Sequence, residues 1–249
     1  MADPYTTETI HVQESFEERV RRVQHEIADK MRLFNRPLVR GCIGEFLGTA
    51  ILMILGNGVL AQVFLGDHDR KMHGNFFSIS FGWGMAVMMG VFFAGRLGHG
   101  IINPAVSVAF GLVGRLPLNR VLWYCLAEFA GAFFGSLLVF GTYTELIYKY
   151  ANLKDNGTLK VNTTGGIFVT NPGASTAACL FDQVIGTALL AAGALSITDK
   201  SWEMPDYLHP PVIGLYVVAL VGAFALNAGA ALNPARDLGP RIMISLFGK

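Results

Sequence analysis

The sequence predicts an all-α membrane protein built as an inverted repeat: five spanning helices plus two short re-entrant ones. Three observations carry this. The 249 residues are 52% hydrophobic and only 15% charged, with a mean hydropathy of +0.45. A soluble domain carries about 25% charged residues. Five apolar runs hold at most one charge each and are long enough to span a hydrocarbon core of roughly 20 helical residues. The tripeptide Asn-Pro-Ala occurs twice, 130 residues apart, each time after an apolar segment.

The N-terminal arm comes first. Residues 1–37 are charged and polar, with no signal-peptide pattern. They read as a cytoplasmic arm, leaving 38–249 as the membrane domain. Within the arm, Glu14–Arg36 reads as a charged amphipathic helix, solvated rather than a dedicated lipid-binding element.

The spanning runs are Gly41–Leu65, Phe76–Gly95, Val121–Thr144, Ala177–Thr198 and Pro210–Leu232. Lys and Arg mark the cytoplasmic side of a membrane protein. With the N-terminus inside, eleven fall on inner segments and five on the outer loops Gly66–Asn75 and Glu145–Thr176. Asn156 and Asn162 open two glycosylation acceptor sequences, both in the second outer loop. Cys42, Cys125 and Cys179 read as small buried apolar residues, without metal or disulfide spacing. A net charge of +1 gives no reason to expect nucleic acid.

The runs repeat. Glu45-Phe-Leu-Gly-Thr-Ala opens the first, and Gln183-Val-Ile-Gly-Thr-Ala opens the fourth. Each is followed by another span and then an Asn-Pro-Ala. Three spans separate equivalent points, so the copies face opposite sides. Transporters and channels place sites at the midplane of such repeats. Gly44/Gly48 and Gly131/Gly135 have the four-residue spacing that lets membrane helices approach closely.

Asn103-Pro104-Ala105 and Asn233-Pro234-Ala235 read as helix starts, with Asn as the cap and Pro at the first helical position. Two such starts meeting at mid-membrane present positive partial charge and two amide donors to a passing oxygen, and they oppose cations and protons. Arg236, next to the second motif, either faces the lumen, repelling cations and donating to solute, or pairs with Asp237. Glu45 is expected to accept from re-entrant backbone, with Gln183 as its repeat counterpart and Asp182 sharing the task. Glu128 is read as a packing residue.

These residues resemble the aquaporin family, over about residues 38–247, and its glycerol-conducting branch in particular. Asp237 and Arg241, in Asn233-Pro-Ala-Arg-Asp-Leu-Gly-Pro-Arg241, match that branch. The resemblance implies passive diffusion of water, glycerol and small neutral solutes such as urea, without a cofactor. It also implies homotetramers in a plasma membrane, one pore per subunit. It assigns a selectivity constriction to Trp83, Val221, Ala230 and Arg236. Ala230 stands where an aromatic is often found, which is expected to widen the constriction. Ile101 stands where the family usually has His, and His99 lies two residues earlier. The family has a further span after the second half-helix, so a sixth span is expected to be missing, as in a fragment or alternative isoform. A non-conducting subunit that modulates full-length partners is the alternative function. An ion-coupled transporter has too few ionisable residues in its pore segments, and no enzyme motif is present.

Overall fold

The structure, a computed structural model, describes residues 15–31, 36–66 and 73–247. Glu14 and residues 32–35 of the expected arm helix, and most of the Gly66–Asn75 connection, lie outside the described residues. The chain divides into two units, Met1–Pro37 and Leu38–Lys249.

The first unit holds α1 (Phe16–Met31). Its start is set by a reciprocal cap. The Ser15 amide donates to Glu18 at 2.8 Å, and the Ser15 hydroxyl accepts from the Glu18 amide at 3.3 Å.

The second unit runs α2 (Pro37–Leu65), α3 (Phe76–Gly95), α4 (Pro104–Leu112), α5 (Leu118–Asp155), α6 (Thr176–Ile197), α7 (His209–Ala228) and α8 (Pro234–Ser245). Among the described residues, α2, α3, α5, α6 and α7 are long and apolar enough to cross a membrane. The two short helices, 9 and 12 residues, have a summed length of about 31 Å at 1.5 Å per residue. That matches a hydrocarbon core of about 30 Å.

Two helix C-termini differ from the apolar runs by several residues. α5 continues to Asp155, eleven residues past Thr144, and ends where Asn156 turns left-handed at φ 51°. Charge does not stop a helix that has already left the bilayer; at 38 residues α5 is about 57 Å long. α7 stops at Ala228 instead of reaching Leu232. Gly229 adopts φ 76° and ends it, so the last four apolar residues lead into the second motif instead.

Packing follows the small residues. α3 packs on α7, α6 on α7, α5 on α8, and α4 on both α5 and α6. At the α2–α5 crossing, a Cβ on Gly131 would lie 2.3 Å from the Phe46 carbonyl, and one on Gly135 would lie 2.5 Å from that of Ala50. Polar pairs stitch the same crossing. Asn57 Nδ2 donates to Ser136 Oγ at 3.0 Å, and Gln62 Nε2 donates to Tyr143 at 2.7 Å. Such bonds average about 0.6 kcal/mol in membranes.

Candidate functional site

The two short helices begin where their asparagines cap them. Asn103 and Asn233 have extended backbones, at φ −155° and −148°. Asn103 Oδ1 accepts from the Ala105 amide at 3.0 Å. Asn233 Oδ1 accepts from Ala235 at 3.0 Å and Arg236 at 3.2 Å. With each oxygen held by its own helix, each side-chain nitrogen points away from it. Asn103 Nδ2 donates to the Leu232 carbonyl at 2.9 Å, and Asn233 Nδ2 donates to the Ile102 carbonyl at 2.8 Å. The two tips therefore meet and clasp each other. An amide nitrogen carries two N–H groups, so each keeps one donor beyond the clasp.

The backbone entering each tip is strained in the same way. Ile102 has φ 49° and Leu232 has φ 48°. A left-handed conformation costs a non-glycine residue roughly 1–2 kcal/mol. Side-chain acceptors hold it. Glu45, fully buried, accepts from the Ile101 amide at 3.0 Å and the Ile102 amide at 2.6 Å. Gln183 Oε1 accepts from the Leu232 amide at 3.0 Å. Asp182 takes part at one remove: it accepts from Gln183 Nε2 at 3.0 Å and from Asn227 Nδ2 at 3.2 Å, which turns the Gln183 oxygen toward Leu232. Glu128 accepts from the Ser107 hydroxyl at 2.7 Å and ties α4 to α5.

One cavity of about 1000 Å³ runs through this region. Its lining includes Asn162, Thr170 and Asn171 from the connection between α5 and α6, and Arg96, His99 and Tyr207 from the connections that follow α3 and α6. Both asparagines line it, as do Trp83, Val221, Ala230 and Arg236. Arg236 Cζ stands 4.2 Å from the centroid of the Trp83 ring, a cation–π contact. Trp83 reaches that position because Gly56 of α2 clears the space; a Cβ there would meet the ring at 2.4 Å. Ile101 lines the cavity too, while His99 Nδ1 lies 3.0 Å from the Tyr124 hydroxyl.

Arg236 does not pair with Asp237. Its Nη1 donates to the Phe168 carbonyl at 3.2 Å. Asp237 pairs with Arg241 at 2.7 Å and accepts from Thr170 at 2.9 Å, and Arg241 Nη2 donates to the Thr170 carbonyl at 2.6 Å. Asp237 and Arg241 thus stay off the cavity wall and brace the strand of backbone whose carbonyl positions Arg236. Reading the sequence as a plain loop from Glu145 to Thr176 missed this brace. The signal was there: Ile167, Phe168 and Val169 form an apolar run inside a polar connection, and all three are buried. Asn156 and Asn162, the acceptor-sequence asparagines, are both exposed.

Opposed helix tips clasped around one lined cavity, within five membrane-length helices, define an integral membrane protein of inverted-repeat design. A family model described as "Major intrinsic protein" matches residues 33–249. The chain is 37% identical over 214 residues to Aquaporin-10 of Milnesium tardigradum, covering 85% of this chain and 52% of that protein. It is 38% identical over 238 residues to human Aquaporin-9, covering 91% and 78%. The X-ray structure of the aquaglyceroporin from Plasmodium falciparum superposes with a TM-score of 0.73 at 30% identity, covering 85% of this chain and 84% of that one. The chain belongs to the major intrinsic protein, or aquaporin, family. It spans between about half and four-fifths of the length of these two curated relatives.

Proposed function

We propose that this chain forms a passive pore for water, glycerol and other small neutral solutes such as urea. The observation that carries the proposal is the lining of one cavity by both asparagine tips and by the Trp83–Arg236 pair. Asn103 and Asn233 supply the donors left over from their clasp, which orient a passing oxygen as acceptor. The two helix N-termini add positive partial charge at the same point and repel cations and protons. Pro104, Ala105, Pro234 and Ala235 start the helices that aim those tips. At the constriction the Trp83 ring faces a polyol's carbon chain, and the Arg236 guanidinium takes its hydroxyls. Val221 and Ala230 complete the wall. Ala230 leaves more room than an aromatic would. Glu45 and Gln183 fix the re-entrant backbone, and Asp237 and Arg241 brace Arg236.

The charge distribution supports a cytoplasmic N-terminus. The exposed Asn156 and Asn162 would then be extracellular and open to glycosylation, in a plasma-membrane protein. A homotetramer with one pore per subunit, seated in lipid, fits the family.

Osmotic swelling of proteoliposomes holding this chain alone tests the reading. Glycerol and water fluxes several-fold above empty liposomes, with no proton current, are expected. Fluxes at the background level would overturn it, as would saturable uptake driven by a proton or sodium gradient.

A further inference from the structure

The strongest unexplained feature is α1. Phe16, Val20, Val23 and Ile27 are all exposed, Phe16 at 82% and Ile27 at 52%. At 100° per residue these four side chains fall within an arc of about 60°. Glu18, Arg21 and His25 lie on the opposite side of the same wheel. The helix is also well founded at its start, through the Ser15–Glu18 cap. A capped helix with one narrow apolar stripe suits a membrane interface. Its own charges balance, Glu17, Glu18, Glu26 and Asp29 against Arg19, Arg21, Arg22 and Lys30, so attraction to anionic lipid must come from the stretch that follows.

Two further observations name the surface. Only residues 32–36 separate Met31 from Pro37, where the first spanning helix begins. Such a tether reaches about 20 Å at most, which limits how far the C-terminal end of α1 can lie from the start of that span. The chain entering the span is strongly basic as well. Residues 30–40 hold Lys30, Arg32, Arg36 and Arg40 and no acidic residue. Basic clusters beside a spanning helix attract anionic lipid.

We propose that α1 is an interfacial helix that seats its Phe16–Val20–Val23–Ile27 stripe in an anionic lipid surface. This replaces the solvated arm expected from sequence. A bilayer offers the stripe an apolar layer, and the basic stretch that follows holds the helix against the headgroups. A second copy of the chain is the competing occupant, since the stripe's spacing of four, three and four residues also suits a helix pair.

Site-directed spin labelling of the full chain in nanodiscs decides between them. Single cysteines are placed at Val20, Val23, Ile27, Arg21 and His25, in a background lacking Cys42, Cys125 and Cys179. Nanodiscs with the same anionic lipid in both leaflets make the result independent of topology. Labels at Val20, Val23 and Ile27 are expected to be several-fold more accessible to oxygen than to a water-soluble nickel complex, with the reverse at Arg21 and His25. In zwitterionic discs the contrast should shrink. Val23→Glu together with Ile27→Glu should abolish the contrast between labels at Val20 and at Arg21 or His25 while leaving the protein folded, because both substituted sites are exposed. Equal aqueous accessibility at all five positions would overturn the proposal. So would dipolar broadening between labels on the stripe, which would assign it to another copy. Contrast unchanged between anionic and zwitterionic discs would overturn the choice of lipid.

Discussion

Replacing Glu45 tests the mechanical logic of the pore. Its carboxylate is the only hydrogen-bond acceptor described for the Ile101 and Ile102 amides. Glu45→Ala leaves two buried N–H groups unpaired, at about 1–3 kcal/mol each. The loss is therefore about 2–6 kcal/mol, and it falls on a residue already bearing roughly 1–2 kcal/mol of left-handed backbone strain. Ile102 should relax toward ordinary φ. Its carbonyl is the acceptor for Asn233 Nδ2, so the clasp opens on that side. The repeat supplies an internal control. Gln183 serves a single amide, that of Leu232, so Gln183→Ala should cost only about 1–3 kcal/mol. Glu45→Gln keeps one acceptor oxygen and should fall between wild type and Glu45→Ala. Thermal stability of detergent-solubilised protein and glycerol flux in liposomes measure the two consequences. Glu45→Ala should lose most flux and melt earliest. Equal effects from Glu45→Ala and Gln183→Ala would refute the argument, as would a Glu45→Ala protein with unchanged flux.

Three more outcomes follow from the site. Asn103→Asp or Asn233→Asp swaps the lumen-facing donor for negative charge, so electrical recordings should show cation leak or flux assays should show block; intact neutral-solute flux with ion exclusion preserved would remove the role given to the amides. Ala230→Phe narrows the wall opposite the Trp83–Arg236 pair, so stopped-flow swelling should slow several-fold for large polyols while water changes little; equal loss of both would contradict the assignment. On the connection between α6 and α7, the Ser201 hydroxyl and amide, and then the Arg115 guanidinium, hold the Asp199 carboxyl below its ordinary value. A lowered folded pKa stabilises above the unfolded value of about 3.9 and fades as pH falls through the lower folded value. Amide exchange at residues 198–203, corrected for intrinsic rate, should therefore speed up below about pH 4 and stay constant from 5 to 7.

Much of this was legible because it rests on composition and on residue types with narrow uses. Apolar runs locate the spans, since lipid leaves little choice. Asn-Pro locates the half-helices, since few contexts place a cap and a proline at depth. Glu45 could be matched to re-entrant amides because a lone carboxylate in a span needs donors. What stayed hidden depends on backbone geometry and on distant partners. No rule of composition puts β-branched Ile102 at positive φ. Asp237 and Arg236 are adjacent in sequence, yet Asp237 turns to Arg241 one helical turn on, and Arg236 turns to a carbonyl 68 residues away. The length of α5 was missed because hydropathy ends at the membrane and the helix does not. The apolar stripe on α1 was visible as amphipathicity, but the exposure of all four of its residues could be read only from the structure.

The reciprocal clasp of Asn103 to Leu232 and Asn233 to Ile102 has a consequence for biogenesis. The halves are translated one after the other, so the first tip emerges from the ribosome about 130 residues before its counterpart exists. Until then the Asn103 amide and the Ile102 carbonyl need stand-ins, which water or the insertion machinery must supply. Closure of the clasp is thus a late event, and a nascent chain stalled before residue 232 would hold an open vestibule.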